Sequence, residues 1–265
     1  MAPRADDSTH SPASRPGEIR VGTSGWSYDH WAGAFYPADL RAHARLAFYA
    51  GRFDTVELNA SFYRLPTAAA VRQWVDATPA GFLFACKASR YITHMKKLSD
   101  PSRATSRFFD MTRQFGRRLG PILFQLPPAW HVDLGRLSVF LDALPRNCRV
   151  AFEFRDETWF TAATYDLLAR HDAACCAYDL DRRRSPIEVT ADFVYVRLHG
   201  PGGPYRGTYD EGTLSWWATR FLRWQREGLD VYCYFDNDEA GYAARDASRL
   251  RGLLGAAVNF RCGPA

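Results

Sequence analysis

The sequence has no apolar run approaching the ~20 residues needed to cross a bilayer. Its first 18 residues, MAPRADDSTHSPASRPGE, are rich in Pro, Ser and Ala and lack the apolar centre of a signal peptide, so they read as a flexible tail. The six cysteines form no CxxC pair, and Cys86, Cys175, Cys176 and Cys233 lie inside strand-like runs. Buried reduced thiols in a cytoplasmic protein, not a disulfide scaffold, are expected. HxH and HExxH pairings are missing, so no ready-made metal nest is written into the chain. GTSGWS (Gly22–Ser27) is not the glycine fingerprint of a dinucleotide fold, and no G-x-x-x-x-G-K-[ST] phosphate loop occurs. Nothing marks an internal repeat or a second domain.

What is present is ample for a core. Hydrophobic residues make up 47% of the 265, and the net charge is a mild +5. This excludes global disorder and permits, without requiring, an anionic partner. Basic residues concentrate in KASRYITHMKK (Lys87–Lys97) and at Arg182, Arg183 and Arg184. The triplet reads first as a solvated loop.

Strand signals recur along the whole chain, at Ile19–Thr23, Asp54–Asn59, Phe82–Lys87, Pro121–Leu126, Arg149–Arg155, Ala173–Asp179, Phe193–His199 and Val231–Asp236. Helical patterns separate most of them: Asp39–Ala50, Thr67–Ala77 with Thr67 as N-cap, Pro101–Leu119, Asp133–Leu144, Thr161–His171, Gly212–Glu227 and Glu239–Leu254. This alternation implies a parallel sheet, and eight strands in one chain of this length predict an α/β protein with a (β/α)8 TIM-type barrel over residues 19–254. Residues 255–265 read as a C-terminal tail. The gap between Asp179 and Phe193, LDRRRSPIEVTAD, is too short and too Pro-broken for a helix, so the sixth unit is degenerate. An open doubly wound sheet is the alternative.

In a barrel, alternate strand residues face the helices and the interior. Val194, Val196 and Leu198 take one face of VYVRLH, leaving Tyr195, Arg197 and His199 on the other. The same alternation sends Val56/Leu58, Val150/Phe152/Phe154 and Val231/Cys233/Phe235 to the helices. The interior then receives Glu57, Asn59, Lys87, Gln125, Glu153, Arg155, Asp179, Arg197, His199 and Asp236, always at the C-terminal strand ends, where barrels carry their active sites.

Glu153 is the first candidate for general base or acid, beside an Arg155 suited to bidentate anion binding. His199 is the second proton-transfer candidate, because histidine alone titrates near neutrality unaided. Glu57, Asp179 and Asp236 complete the acidic set. Lys87, Arg155 and Arg197 read as anion contacts, with Asn59, Gln125 and Asn237 as polar neighbours. Loops add Trp26, Tyr28 and His30, then His94, then Tyr205 and Arg206, where aromatic rings beside cations suit a sugar or a base. Trp31 reads as a roof over the barrel, and Trp217, Phe221 and Trp224 as core. The plain alternative for the whole ring is an internal ion network that only closes the barrel. A Mg²⁺ held by Glu57, Glu153 and Asp236 would be opposed by three nearby cations, so neither metal nor cofactor is expected.

VGTSGWSYDHWAGAFYP, FDTVELNASFYRLP, FACKASRYITH, FQLPP, FEFRDETW, YVRLHG and YFDND, in this order, resemble the YecE-like family (domain of unknown function 72) from Ile19 to about Leu254. The resemblance implies a barrel with a degenerate helix pattern and a polar mouth, without an established reaction. Two departures are local: the last strand ends FDND where FNN is the family's habit, adding the Asp236 carboxylate, and Asp246 stands in an RDA stretch where the family tends to have Asn. Two readings stay open. One is an enzyme performing acid–base, hydrolase-like chemistry on a phosphorylated or sugar-containing substrate. The other is a non-catalytic module for single-stranded or damaged nucleic acid.

Overall fold

The computed structural model describes residues 15–181 and 183–259. Arg182, residues 1–14 of the expected N-terminal tail and residues 260–265 of the C-terminal one lie outside the described residues. The strands among the described residues are β1 (Ile19–Thr23), β2 (Thr55–Leu58), β3 (Leu83–Lys87), β4 (Leu119–Gln125), β5 (Val150–Glu153), β6 (Ala173–Cys175), β7 (Ala177–Leu180), β8 (Arg183–Arg184), β9 (Phe193–Leu198) and β10 (Asp230–Phe235). They form a mixed α/β fold of two five-stranded sheets, ordered β1-β10-β9-β7-β8 and β2-β3-β4-β5-β6. All neighbours are parallel except β7 and β8.

The helices are α1 (Arg45–Ala50), α2 (Ala60–Tyr63), α3 (Ala68–Asp76), α4 (Pro101–Thr112), α5 (Leu134–Asp142), α6 (Ala162–Arg170), α7 (Glu211–Arg226) and α8 (Tyr242–Asn259). Short polar side chains start several of them. The side chains of Thr67, Asp133, Thr161 and Asp210 each accept from a backbone N–H of the first turn, satisfying a donor that has no intrahelical partner. The helix expected to run to Leu119 stops at Thr112 and passes into a 3-10 segment, Arg113–Arg118, within which Gly116 at φ 53° breaks helical geometry. After β7 the sixth connection carries the two-residue β8, folded back antiparallel on β7, in place of a helix. Described residues on both sides of the expected boundaries make regular contacts. Gly17 and Glu18 bond to Gln225, Asp230 and Val231, and α8 continues past 254 to Asn259. No helix of the described residues is long and apolar enough to cross a membrane.

The two faces of the strands build two separate packing layers. Val56, Leu58, Val150, Phe152, Val194, Val196, Leu198, Val231, Cys233 and Phe235 join Trp217, Phe221 and Trp224 in the large core under the helices, as alternation predicts. The opposite faces meet in a smaller cluster: Ala85, Leu123, Ala151 and Ala174 from one sheet, Phe193, Tyr195, Tyr232 and Tyr234 from the other. Small residues on one wall leave the volume that tyrosines on the other wall fill, which keeps the interior close-packed. Cys86, Cys175, Cys176 and Cys233 are buried and unpaired.

The sheets approach each other at both margins. At β1 and β2 a single parallel bridge joins Ser24 to Glu57, with Gly25 N–H donating to the Glu57 carbonyl at 2.8 Å. Below it the Tyr49 hydroxyl spans the seam, accepting from Thr23 N–H at 2.9 Å and donating to the Thr55 carbonyl at 3.1 Å. At the other margin β6 pairs with β5 while β7, one residue further on, pairs with β9. Gly22 makes the first seam possible, since a Cβ there would stand 2.2 Å from the Thr55 carbonyl oxygen. Gly22→Ala should therefore cost about 1–3 kcal/mol of stability in urea denaturation, the range for forced overpacking. An unchanged midpoint would mean that the seam is not tight.

Candidate functional site

Arg197, on β9 and fully buried, is the hub of the polar cluster at the C-terminal strand ends. All of its donors are used. Nε donates to Glu57 Oε2 at 3.0 Å, Nη1 to Glu153 Oε2 at 2.9 Å, and Nη2 to Glu57 Oε1 at 2.8 Å, Asp236 Oδ2 at 2.9 Å and Ser24 Oγ at 3.1 Å. Only a guanidinium offers so many donors in one plane, so lysine could not replace it here. Glu57, also fully buried, accepts in addition from the hydroxyls of Tyr195, at 2.7 Å, and Ser24. Asn59 closes this side by donating to Ser24 Oγ at 2.7 Å.

Glu153 is clamped between Arg197 and Arg155, the latter donating to Oε1. Burial alone would raise its carboxyl, but the two guanidinia outweigh burial and hold it well below the usual carboxylate range. Its surroundings thus favour the carboxylate over the carboxylic acid. Asp236 behaves likewise: against the effect of burial, Arg197 and His199 keep its carboxyl low.

His199 faces two guanidinium donors through one ring nitrogen: Nε2 lies 2.9 Å from Arg155 Nη2 and 3.2 Å from Arg197 Nη1. Two N–H groups aimed at Nε2 require a lone pair there, which places the ring proton on Nδ1. Nδ1 stands 3.1 Å from Asp236 Oδ2 yet makes no hydrogen bond of good geometry, leaving a buried donor without a partner. Tyr178 and Tyr205 pack edge-on to the imidazole at 6.3 and 5.7 Å. Arg155 also lies over the Tyr178 ring at 4.8 Å.

Lys87, at the end of β3, differs from the other charges. No carboxylate lies within 4 Å of its ammonium among the described residues, and Nζ rests 4.5 Å from the Phe62 ring centre. Burial, then the Arg197 charge, lower its pKa to about 8. His94 packs edge-on to the same Phe62 ring at 5.1 Å. It sits in a single π turn, Tyr91–Met95, with its Nδ1 2.9 Å from the Thr93 hydroxyl. Burial and Lys87 push its pKa down. Beside the cluster opens a cavity of about 740 Å³ lined by Gln125, Arg155, Tyr178, Arg183, Arg184 and Tyr205 among others.

The structure thus gathers Glu57, Asn59, Lys87, Glu153, Arg155, Arg197, His199 and Asp236 into one site, with Gln125 and Tyr205 at its edge. Asp179 is not among them. The strand alternation puts Ala174, Cys176 and Tyr178 inside, so Asp179 faces the helix side and pairs with Arg184 at 3.2 Å. Asn237 points away too, donating to Asp246 Oδ2 and the Gly207 carbonyl, both at 2.9 Å, and so fastens the glycine-rich loop. Asp246 completes that fastening through Thr208 and Tyr209 N–H. Trp26 packs against Trp74. Tyr28 donates to the Ser24 carbonyl. Arg206 is exposed and 3.9 Å from Glu239. Sequence reasoning missed Ser24, Tyr178 and Tyr195 as members of the site. Extending the two-residue period of β1 and β7 by one step would have found the first two. Among the described residues no group of three or more His, Cys, Asp or Glu side chains is arranged to hold a metal ion.

Glu153→Gln preserves shape while removing one charge from between two guanidinia. The expected cost is about 3–5 kcal/mol at pH 7 by chemical denaturation, the penalty for breaking a buried pair. The folded-state pKa of Glu153 lies below its unfolded value, so its stabilisation is present above the ordinary carboxylate range and fades as pH falls through and below that range. The acid limb of the stability curve should accordingly be shallower in the variant. Equal stability of the two proteins at pH 7 would contradict the clamp.

Comparison with known proteins agrees with this fold. The family model described as "Protein of unknown function DUF72" matches residues 20–263. "UPF0759 protein YunF" of Bacillus subtilis (strain 168) is 27% identical over 274 residues, covering 89% of this chain and 94% of that protein. The crystal structure of a DUF72 family protein, TM1631, from Thermotoga maritima MSB8 is 28% identical and superposes with a TM-score of 0.79, covering 90% of this chain and 99% of that one. A second DUF72 family protein, EF0366 from Enterococcus faecalis V583, shares the fold at 18% identity and a TM-score of 0.70, over 89% of this chain and 95% of that one. The YecE-like motifs and these matches are one and the same relationship, and the chain belongs to the DUF72 family.

Proposed function

We propose that the protein is an enzyme that performs acid–base chemistry, hydrolase-like in kind, on a small phosphorylated or sugar-containing anion held at the C-terminal rim of a closed parallel barrel. Closure is supported by the Ser24–Glu57 bridge on one margin and by the shared β6–β7 stretch on the other. The observation that carries the reading is Lys87: an ammonium left without a carboxylate partner, in a site whose three carboxylates are all taken by arginines. A structural network would pair it, whereas a binding site leaves it free for a ligand.

The roles follow from this division. Arg197, Glu57 and Glu153 form a fixed frame. The Nη1 group of Arg155, which has no partner among the described residues, and Lys87 Nζ receive the anion. With a pKa of about 8, Lys87 both holds and releases a proton near neutrality. The Nδ1–H of His199, beside Asp236, is a second proton at the same mouth. Tyr178, Tyr205 and Gln125 supply a stacking and hydrogen-bonding wall in a cavity of ligand size.

Phosphorylated sugars should raise the melting temperature of the wild type, and Arg155→Ala should weaken their binding about 10–100-fold by calorimetry. Lys87 adds a pH test. Its folded pKa is lowered from 10.5 to about 8, so the folded state binds fewer protons than the unfolded one between these values. Stability of the wild type should therefore rise with pH from about 8 to 10.5 relative to Lys87→Met. Anions that bind the Arg155 variant equally well would sink the reading. Tight binding of single-stranded DNA, falling steeply with salt, would favour the nucleic-acid alternative.

A further inference from the structure

Only three of the 34 Lys and Arg residues in this chain are lysine: Lys87, Lys96 and Lys97. Arginine is the chain's usual cation, and at the end of β3 arginine would serve an anion contact well. Lysine differs in one chemical respect: its amine can lose a proton and become a nucleophile, which a guanidinium cannot. We infer that Lys87 is a nucleophilic amine that forms an imine with a carbonyl group of the substrate, with His94 as the proton carrier for the step. This deepens the reading above and rests on it, since the carbonyl compound is the small anion already placed at this mouth.

Several features converge on it. No carboxylate lies within 4 Å of the amine among the described residues, so no direct ion pair holds its proton, and Nζ rests over the Phe62 ring. Burial and then the Arg197 charge favour the neutral amine against the pull of Glu153, Glu57 and Asp236, and the pKa of about 8 leaves a reactive fraction at neutral pH. His94 shares the Phe62 ring, and its lowered pKa keeps the imidazole neutral and able to accept a proton. The Thr93 hydroxyl, 2.9 Å from Nδ1, orients this ring and leaves Nε2 as the nitrogen available for proton transfer. The π turn that presents His94 is a backbone irregularity of the sort found at functional sites.

The step balances without an oxidant or co-reactant. The free amine attacks the carbonyl carbon, a C–N bond forms, the carbonyl π pair passes to oxygen, and the nitrogen, now cationic, gives one proton to that oxygen, leaving a neutral carbinolamine with a lone pair on nitrogen. The C–O bond then breaks with a second protonation of oxygen, water leaves, and the nitrogen lone pair completes the C=N bond of the iminium ion. Counted from the ammonium form, protonated lysine and carbonyl compound give iminium and one water. His94 accepts the proton as the amine is deprotonated and returns one as water departs. Arg155 and the cavity beyond it hold the anionic end of the same molecule.

The test is reductive trapping on the full-length chain. Wild-type protein is incubated with pyruvate or with glycolaldehyde phosphate, treated with sodium borohydride, and mapped by peptide mass spectrometry. The expected result is one adduct per chain on Lys87, more abundant at pH 8 than at pH 6, absent in Lys87→Arg, and formed about 100-fold more slowly in His94→Gln. With only three lysines and the N-terminus as sites, assignment is direct. Adducts confined to Lys96, Lys97 or the N-terminus, or no adduct with either probe, would overturn the proposal. If no adduct forms while both probes still bind through Arg155 and Lys87, the imine falls and the acid–base reading stands. If neither probe binds, both fall together.

Discussion

Everything at the strand ends depends on one guanidinium being saturated. Three carboxylates brought within hydrogen-bond reach in a dry interior would repel one another strongly, and at least one would take up a proton. Arg197 prevents that by donating from all three of its nitrogens, while Arg155 takes the remaining oxygen of Glu153. With Lys87 the three anions meet three cations, and His199 lies between the two guanidinia and Asp236, with Nδ1 3.1 Å from that carboxylate. The cluster is therefore rigid in charge as well as in geometry. Such preorganised dipoles and charges need no rearrangement when a charged substrate arrives.

That rigidity is supported from below. The layer of Phe193, Tyr195, Tyr232 and Tyr234 packs against Ala85, Leu123, Ala151 and Ala174 on the same inner faces that carry the ions. Tyr195 belongs to both layers, its ring in the apolar cluster and its hydroxyl on Glu57. Burial and the Glu57 charge push that hydroxyl's pKa far up, which makes it a permanent donor. The tyrosines thus fill volume and anchor the charge frame at once.

Much of this was legible in the sequence. Two-residue alternation separated the helix-facing apolar sets from the inward polar ones, because strands impose that period regardless of tertiary detail. It failed at the sixth strand, where the polar Asp179 drew attention from Tyr178, the inward residue. An aromatic with a hydroxyl reads as core in a sequence, although here it stacks on Arg155. Ser24 escaped notice because it lies one residue past the end of β1, in a stretch recognisable only for what it is not. The clamping of Glu153 was beyond reach as well: alternation says that Glu153, Arg155 and Arg197 share an interior, while only coordinates say that both oxygens are already occupied. Asn237 shows the reverse limit, since its side chain turns to Asp246 after the strand period has ended.

The sixth connection has a further meaning. Elsewhere a helix packed on the outer core follows the strand, and altering it would disturb that core. Between β7 and β9 there is only the two-residue β8 and an extended segment, and Arg183, Arg184, Ser185 and Pro186 from this stretch form one wall of the cavity. This wall is tied to the strands before it, Ser185 Oγ accepting from Tyr178 N–H and Thr190 Oγ1 from Cys175 N–H, both at short range. The wall of the cavity and the ion cluster are thereby built by separate parts of the chain, an extended segment on one side and the strand ends around Arg197 on the other.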